Sequence, residues 1–308
     1  MALYGLFKRP GPSGFGWRST AEEVTAGLSL DGRTVLVTGV TAGLGRETLR
    51  VLSLRGAKVL ATARTLEKAR AACDAAGAGR AVPLACELSD PRSVRACAEE
   101  VRRRGARLDA IVCNAGIMAL PRPERVHGIE LQLFTNHVGH FVLVTSLLEA
   151  LADDGRVVVV ASEAHRRAPP AGILLDDLGA ERSYSPWGHY GQSKLANILF
   201  ARELARRLSG TRRTASALHP GVIHTELSRH MPGISGLAFA IAAPLGLKTI
   251  AQGAATQTFL AVHPSAGGAS GGYWLDCNPA RTTAAGEDAA LAARLWDVTE
   301  QIVARLPR

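Results

Sequence analysis

The chain has 308 residues, of which 47% are hydrophobic and 20% are charged. A chain of this length and composition can bury a full core, which excludes an intrinsically disordered protein. The 36 basic and 27 acidic side chains give a net charge of +9, which raises nucleic acid as a partner. No zinc-finger spacing and no interleaved aromatic residues accompany the arginine clusters, so we expect no nucleic-acid binding.

The cysteines and the apolar segments exclude further classes of protein. The five cysteines form no C-x-x-C pair, so we predict no metal site and a reducing, cytoplasmic compartment. Residues 1–17 are interrupted by prolines and glycines and lack the apolar run of a signal peptide. No apolar segment reaches the roughly 18 residues that a helix needs to cross a bilayer, and we therefore expect no transmembrane span.

Strand-like runs alternate with amphipathic segments along the chain. The runs rich in small and branched apolar residues predict seven strands, namely Thr34–Thr38, Lys58–Ala63, Ala81–Ala85, Ala110–Cys113, Arg156–Ala161, Thr214–His219 and Gly272–Leu275. The amphipathic segments predict helices over Gly43–Arg55, Leu66–Ala76, Pro91–Arg104, Gly128–Leu151, Tyr190–Leu208, Thr249–Val262 and Glu287–Leu306. This order predicts an α/β fold, a single Rossmann-type, doubly wound parallel sheet of about seven strands with helices on both faces.

A short segment precedes this domain. Ser19-Thr20-Ala21-Glu22 fits a capping box and predicts a short helix before the first strand. We therefore divide the chain into an N-terminal extension over residues 1–30 and one dinucleotide-binding domain over residues 31–308.

The first strand runs into a glycine-rich loop before the first helix. Gly39, Gly43 and Gly45 allow the backbone to turn tightly and to approach a ligand closely. The start of the following helix offers unpaired N–H groups to a pyrophosphate. Three glycines alone also fit an ordinary strand–helix turn, but a strand before the loop and a helix after it favour dinucleotide binding.

The end of the second strand favours one dinucleotide over the other. An NAD(H) site places Asp or Glu there to bind the ribose 2′-OH, whereas this strand ends in Ala63-Arg64. Arg64 is suited to a 2′-phosphate through forked, charge-assisted hydrogen bonds, although it also fits a solvated arginine before the next helix. The missing carboxylate favours NADP(H) over NAD(H).

Polar residues at three strand ends and on one helix point to a common crevice. Tyr190 and Lys194 share a helix face at i, i+4, and an ammonium beside a tyrosine lowers its pKa from about 10. Ser162 and the run Asn114-Ala115-Gly116 each follow a predicted strand. The carboxyl ends of parallel strands are where such sheets bind ligands.

These motifs resemble the short-chain dehydrogenase/reductase superfamily, classical type, over roughly residues 31–308. The family patterns T-G-x-x-x-G-x-G, N-A-G, Y-x-x-x-K and P-G are matched at residues 38–45, 114–116, 190–194 and 220–221. Residues 135–141, 161–165 and 193–197 resemble the retinol-dehydrogenase-like branch. Residues 14–25 are similar to a plant subgroup that includes a dehydrogenase associated with the chloroplast inner-envelope translocon.

The resemblance implies roles for individual residues. Tyr190 would be the acid/base, Lys194 would lower its pKa and hold the nicotinamide ribose, and Ser162 would bind the substrate oxygen. Asn136 would support a water relay to Lys194. The cofactor would contact Thr38, Gly39, Thr41, Gly43, Leu44, Gly45, Arg64, Glu87, Leu88, Asn114, Ala115, Gly116, Tyr190, Lys194, Pro220, Gly221, Ile223 and Thr225. Glu87 departs from the usual Asp of the family, and Cys113 and Val159 replace asparagines.

The sequence predicts the substrate less narrowly than it predicts the cofactor. In this family the region that holds Ile234–Leu247 covers the substrate, and we expect a lid over about residues 226–248. Its apolar character favours a lipophilic alcohol, aldehyde or ketone, but it also fits a subunit interface of a homo-oligomer or a shallow peripheral membrane contact. The predicted function is an NADP(H)-dependent carbonyl reductase or alcohol dehydrogenase. The alternative is an NADPH-sensing interaction protein with little or no turnover.

Overall fold

The computed structural model describes residues 9–223 and 247–307, and an eight-stranded sheet forms its centre. The strands are β1 Thr34–Thr38, β2 Lys58–Ala63, β3 Val82–Ala85, β4 Leu108–Cys113, β5 Leu151–Val160, β6 Thr214–His219, β7 Tyr273–Leu275 and β8 Asn278–Ala280. Their order across the sheet is β8-β7-β6-β5-β4-β1-β2-β3. Strands β1 to β7 pair in parallel, as predicted, and β8 pairs antiparallel with β7. The doubly wound α/β fold is confirmed, with one more strand than expected.

Helices cover both faces of this sheet. They are α1 Gly43–Leu54, α2 Leu66–Ala75, α3 Pro91–Arg103, α4 Gly139–Leu147, α5 Pro186–Arg207, α6 Ala255–Val262 and α7 Ala289–Arg305. Alternate residues of β1 enter different cores, because side chains of a strand alternate between its faces. Leu36 packs in the core beneath α3, α4, α5 and α7, whereas Val35 and Val37 pack in the core beneath α1 and α6.

The helix predicted over Gly128–Leu151 is wrong at both ends. A hairpin pairs Arg125–Val126 with Ile129–Glu130, and its two turn residues, His127 and Gly128, have φ of 49° and 77°. Positive φ at both positions is the mark of a tight two-residue hairpin turn. A short helix at Leu131–Leu133 and a π-helical turn at Phe134–Val138 lead into α4, and Leu151 already belongs to β5.

The described residues that precede β1 pack on the rest of the structure. The capping box lies one residue later than predicted, because the Thr20 N–H donates to Glu23 Oε2 at 2.8 Å and the Glu23 N–H donates to Thr20 Oγ1 at 3.2 Å. The short 3-10 helix Glu23–Thr25 follows, as expected. Upstream, the Asn278 side chain of β8 accepts from the Ser13 N–H at 3.0 Å and donates to the Phe15 carbonyl at 2.9 Å.

Some features are missing from the described residues. The five cysteines are buried and form no disulfide. Within residues 9–223 and 247–307, no group of three or more His, Cys, Asp or Glu side chains is arranged to hold a metal ion. In that same part of the chain, no helix has both the length and the apolar character needed to cross a membrane.

Candidate active site

A cleft of about 1030 Å³ opens at the carboxyl ends of β1, β4, β5 and β6. It is lined by almost every predicted site residue that the structure describes, including the glycine loop, Asn114–Gly116, Ser162, Tyr190 and Lys194. Asn136 is the exception, because it is fully buried behind the cleft wall. Thr225 and lid residues 226–246 lie outside the described part of the chain.

The glycine loop is shaped by contacts that leave no room for side chains. A Cβ on Gly45 would lie 2.2 Å from the Gly39 carbonyl oxygen and 2.5 Å from Asn114 Nδ2. A Cβ on Gly39 would lie 2.9 Å from Ala115 Cα, and Gly39 also has φ of +72°. The loop is therefore closed against the start of the Asn114–Gly116 segment, and its backbone is exposed to the cleft for close approach by a phosphate.

Thr38 joins the ends of β1 and β4. Its hydroxyl oxygen accepts from the backbone N–H groups of Asn114 at 2.9 Å and Ala115 at 3.0 Å. In return, Asn114 Nδ2 donates to the Thr38 carbonyl at 2.8 Å. These bonds hold the glycine loop and the Asn114–Gly116 segment in one arrangement.

His140, which sequence analysis did not single out, connects this pair to Asn136. Its Nε2 lies 2.9 Å from Thr38 Oγ1 and its Nδ1 lies 3.0 Å from the Asn136 carbonyl oxygen. Burial lowers the pKa of His140 to about 4, so the ring is neutral near pH 7. Because a carbonyl only accepts, Nδ1 carries the hydrogen and Nε2 accepts from the Thr38 hydroxyl. The i, i+4 spacing of Asn136 and His140 on one predicted helix was the sequence signal that could have predicted this contact.

Asn136 holds the wall of the cleft from behind. Its Oδ1 accepts from the Ile117 N–H at 2.8 Å, and its Nδ2 donates to the Ile117 carbonyl and to Ser193 Oγ, both at 2.9 Å. A Cβ on Gly116 would lie 2.9 Å from Asn136 Oδ1 and 3.5 Å from Lys194 Nζ. The π-helical turn places this amide directly beneath Gly116, and such turns are frequent at functional sites.

Ser162 and Tyr190 line the same cleft, and the Ser162 side chain acts to lower the pKa of Tyr190. The backbone of Ser162 is held by His165, whose Nδ1 lies 2.7 Å from the Ser162 carbonyl and whose Nε2 lies 3.0 Å from Thr282 Oγ1. The Ser162 hydroxyl oxygen accepts from the Ala164 N–H at 3.2 Å. Both hydroxyl-bearing side chains therefore border one cleft.

Lys194 lies beside Tyr190 but does not lower its pKa in this structure. Its Nζ donates to the Val160 carbonyl at 3.0 Å and lies 5.7 Å from the centroid of the Tyr190 ring. Burial raises the pKa of Tyr190 to about 12, against a smaller lowering by the Ser162 side chain. Burial likewise lowers the pKa of Lys194 to about 8. The lowering of the tyrosine pKa that the sequence predicts is therefore absent, and desolvation favours the neutral form of both groups.

The far end of the cleft collects positive charge. Arg64 lines it together with Lys68, and a hollow of about 360 Å³ beside them is lined by Thr41, Arg46, Arg64 and Lys68. All three cations are exposed, and none is within ion-pair distance of a carboxylate in residues 9–223 or 247–307. Of the three cations, the sequence pattern predicted only Arg64. Arg46 and Lys68 lie in the first turns of α1 and α2, which follow the adjacent strands β1 and β2. The available signal was that each of them starts a helix directly after a predicted strand.

Two further predicted residues border the cleft nearby. Glu87 lines it, and its Oε1 accepts from the N–H and the hydroxyl of Ser89 at 3.1 and 2.9 Å. Leu88 is buried beneath Gly139, where a Cβ would lie 2.3 Å from the Leu88 carbonyl oxygen. Both residues are thereby fixed in the turn that follows β3.

The loop after β6 is clamped by Lys248. Gly221 has φ of +96°, and a Cβ there would lie 2.6 Å from Lys248 Cδ. Ile223 and Lys248 form a short parallel bridge, and Lys248 Nζ pairs with Asp276 Oδ1 at 2.7 Å, with the lysine side chain 1% exposed. Pro220, Gly221 and Ile223, which all line the cleft, are therefore anchored to the turn between β7 and β8.

The sequence is similar to known proteins over its whole length. Residues 33–174 match the family model of short chain dehydrogenases. The chain is 36% identical to short-chain dehydrogenase TIC 32 B, chloroplastic, from Brassica napus, with 100% of both chains covered. It is 38% identical to mouse retinol dehydrogenase 14, covering 89% of this chain and 86% of that one.

Solved structures also superpose on this chain. A protein from Mycobacterium paratuberculosis superposes with a TM-score of 0.73 at 35% identity, covering 92% of this chain and 98% of that one. A short chain dehydrogenase from Burkholderia cenocepacia, crystallised in complex with NADP, superposes with a TM-score of 0.63 at 25% identity, covering 79% of this chain and 96% of that one.

Proposed function

The chain belongs to the short-chain dehydrogenase family of oxidoreductases, and we propose that it is an NADP(H)-dependent enzyme that interconverts a lipophilic alcohol with its aldehyde or ketone. The observation that carries the proposal is that Ser162, Tyr190 and Lys194 line the same cleft as the glycine loop. A bound nicotinamide supplies or accepts the hydride. The chain itself supplies position and proton transfer.

Tyr190 serves as the acid/base. With a pKa raised to about 12 it carries its proton near pH 7, and this is the form that donates to a carbonyl oxygen during reduction. Ser162 donates to the same oxygen and orients it. Lys194, held by the Val160 carbonyl, presents its ammonium beside the tyrosine and the cofactor ribose. Asn136 acts by positioning, because its amide flanks Gly116 together with Lys194.

The glycine loop and its neighbours fit a dinucleotide. Cβ atoms on Gly39 or Gly45 would collide with backbone atoms, so the loop keeps its N–H groups accessible to a pyrophosphate at the start of α1. Pro220, Gly221, Ile223 and Thr225 are proposed for the nicotinamide end, and Glu87 and Leu88 for the adenine end. Five free, buried thiols support a reducing compartment such as the cytoplasm.

The cation cluster of Arg46, Arg64 and Lys68 supports NADP(H) over NAD(H). The Burkholderia relative was crystallised in complex with NADP, which supports the same preference here. Exposed charge-assisted contacts are each worth about 1 kcal/mol, so we expect Arg64→Ala, Arg46→Ala and Lys68→Ala each to weaken NADPH binding about fivefold, with much less effect on NADH. Arg70→Ala, on the same helix as Lys68 but away from the cleft, is the matched control. Equal losses for NADPH and NADH would contradict the assignment.

Turnover separates an enzyme from the alternative NADPH-sensing protein. Purified protein is assayed with NADPH and a panel of apolar aldehydes and ketones by the loss of absorbance of NADPH. We expect turnover, its loss in Tyr190→Phe, and unchanged NADPH affinity in that variant. Tight NADPH binding without turnover of any substrate would refute the enzymatic proposal and favour the sensing protein. Turnover retained in Tyr190→Phe would refute the role of Tyr190.

A further inference from the structure

The substrate end of the cleft contains one cation that no acid neutralises. Apolar side chains dominate this end of the lining, and they include Met118, Leu131, Trp187 and Val222. Arg167 lines the same region and is exposed. Among residues 9–223 and 247–307, no carboxylate lies within ion-pair distance of its guanidinium.

Arg167 is held in place by an aromatic ring next to the proposed acid/base. Its Cζ lies 5.1 Å from the centroid of the Trp187 ring, a distance at which a cation is attracted to the ring face. The Trp187 ring in turn lies 6.0 Å from the Tyr190 ring, at an interplanar angle of 80°. The guanidinium is therefore at most about 11 Å from the Tyr190 ring, by the combined length of these two contacts.

Two glycines of α5 bring the arginine to this position. Arg167 ends the short 3-10 helix Glu163–Arg167, which packs directly on α5. A Cβ on Gly191 would lie 2.5 Å from the Ala164 carbonyl oxygen and 2.9 Å from the Ala168 nitrogen, and one on Gly188 would lie 3.8 Å from the Arg167 carbonyl oxygen. The backbone of Arg167 is thus fixed against the helix that carries Tyr190.

The neighbouring arginine is arranged differently. Arg166 forms an ion pair with Glu163 and donates from Nη2 to the Arg281 carbonyl at 3.3 Å. It does not line the cleft. Glu163, the acid closest in sequence, is therefore occupied by Arg166, while the charge of Arg167 remains available to a ligand.

We propose that Arg167, supported by Trp187, is a subsite for the carboxylate of the substrate. The N–H groups of a guanidinium lie in one plane and match the two oxygens of a carboxylate, and a contact with the face of an aromatic ring leaves them free to do so. The substrate class is accordingly an oxo or hydroxy acid with an apolar, preferably aromatic, body between the reacting carbon and the carboxylate. This inference rests on the proposed oxidoreductase function and narrows its substrate from lipophilic to amphipathic.

The test compares 6-formyl-2-naphthoic acid with its methyl ester, in which a methyl group replaces the negative charge. With NADPH and wild-type protein, we expect kcat/KM to be at least tenfold higher for the acid, mainly through KM. In Arg167→Gln, the ratio of kcat/KM for acid over ester should fall about tenfold, because the forked contact is lost. Arg281→Gln is the matched control and should keep the wild-type ratio, because Arg281 is exposed and does not line the cleft. High salt should lower the wild-type ratio, since the subsite is exposed.

Binding is measured in parallel so that the two proposals can fail separately. Calorimetric titration of the NADP⁺-loaded protein with 2,6-naphthalenedicarboxylic acid monomethyl ester and with the dimethyl ester needs no turnover. Tight binding of the acid that is weakened in Arg167→Gln, without turnover of any aldehyde, would support the subsite and refute the oxidoreductase. Turnover with equal kcat/KM for acid and ester in the wild type would overturn the subsite alone. An equal fall of the ratio in Arg281→Gln would also overturn it.

Discussion

Replacing His140 with Phe tests whether the bridge between Thr38 and Asn136 organises the site. Phenylalanine fills a similar volume but can neither donate to the Asn136 carbonyl nor accept from the Thr38 hydroxyl. Each buried polar group without a partner costs about 1–3 kcal/mol. The Thr38 hydroxyl can donate instead to the Val112 carbonyl, which lies 3.4 Å away. This reduces the cost of losing the hydrogen bond between Thr38 and His140. We therefore expect the free energy of unfolding to fall by about 2–4 kcal/mol.

The same substitution should affect the cofactor. Thr38 orients the N–H groups of Asn114 and Ala115 at the cleft, so loss of its partner should weaken NADPH binding about tenfold, which corresponds to about 1.4 kcal/mol. His137→Phe is the matched control, because His137 is equally buried on the same helical segment but is bonded to Thr299 on α7. Urea unfolding gives the stability, and fluorescence titration with NADPH gives the affinity. If both variants lose stability equally and neither loses NADPH affinity, the proposed link from His140 to the cofactor loop is refuted.

Three other perturbations have expected outcomes. Gly45→Ala should abolish NADPH binding measured by fluorescence, because its Cβ would lie 2.2 Å from a backbone oxygen, whereas Gly79→Ala, with open space around it, should not. Lys248→Met should lower the free energy of unfolding in urea by about 3 kcal/mol, since it removes the buried ammonium that pairs with the Asp276 carboxylate. The third perturbation is acidification. Burial lowers the pKa from the ordinary 6.5 to about 3 for His137, to about 4 for His140 and to about 4 for His219. The unfolded chain then binds more protons, so stability should decrease as the pH falls from about 6.5 towards 4.

For each of these three perturbations, one result would contradict the expected outcome. NADPH affinity retained in Gly45→Ala would mean that the loop can open without loss of binding. Asp276→Asn should restore most of the stability of Lys248→Met, because an amide needs no counter-charge, and a double variant as unstable as the single one would contradict the ion-pair argument. Urea midpoints that stay constant between pH 7 and pH 4.5 would show that the buried histidines do not limit acid stability.

The central parallel strands could be predicted from the sequence because their residues are buried on both faces and form continuous apolar runs. The run Thr34–Thr38 is one such strand. The last strand, Asn278–Ala280, could not be predicted in this way, since it is short and contains Pro279. Proline is tolerated there because β8 is an edge strand. The turn between β7 and β8 could not be predicted either. Asp276 and Cys277 have positive φ values of 53° and 62°, and neither position holds the glycine that is common in such turns.

Residues that line the cleft could be predicted where a motif is local in sequence, as with the glycine loop and the pair Tyr190 and Lys194. They were missed where residues from separate segments converge, as with Arg46 and Lys68, because neither belongs to a motif that contains Arg64. The pKa of Tyr190 could not be predicted either. The adjacent lysine was visible in the sequence, but the burial that outweighs it depends on how the surrounding segments pack.

The contacts of Asn278 have a consequence for the solubility of the protein. An edge strand presents unpaired backbone groups to which a second molecule can add a strand. The loop around Ser13 and Phe15 is bonded to the side chain of Asn278 and lies against this edge. A truncated chain that begins after residue 16 would therefore keep its cleft but present β8 uncovered, and its first failure would be aggregation through strand addition.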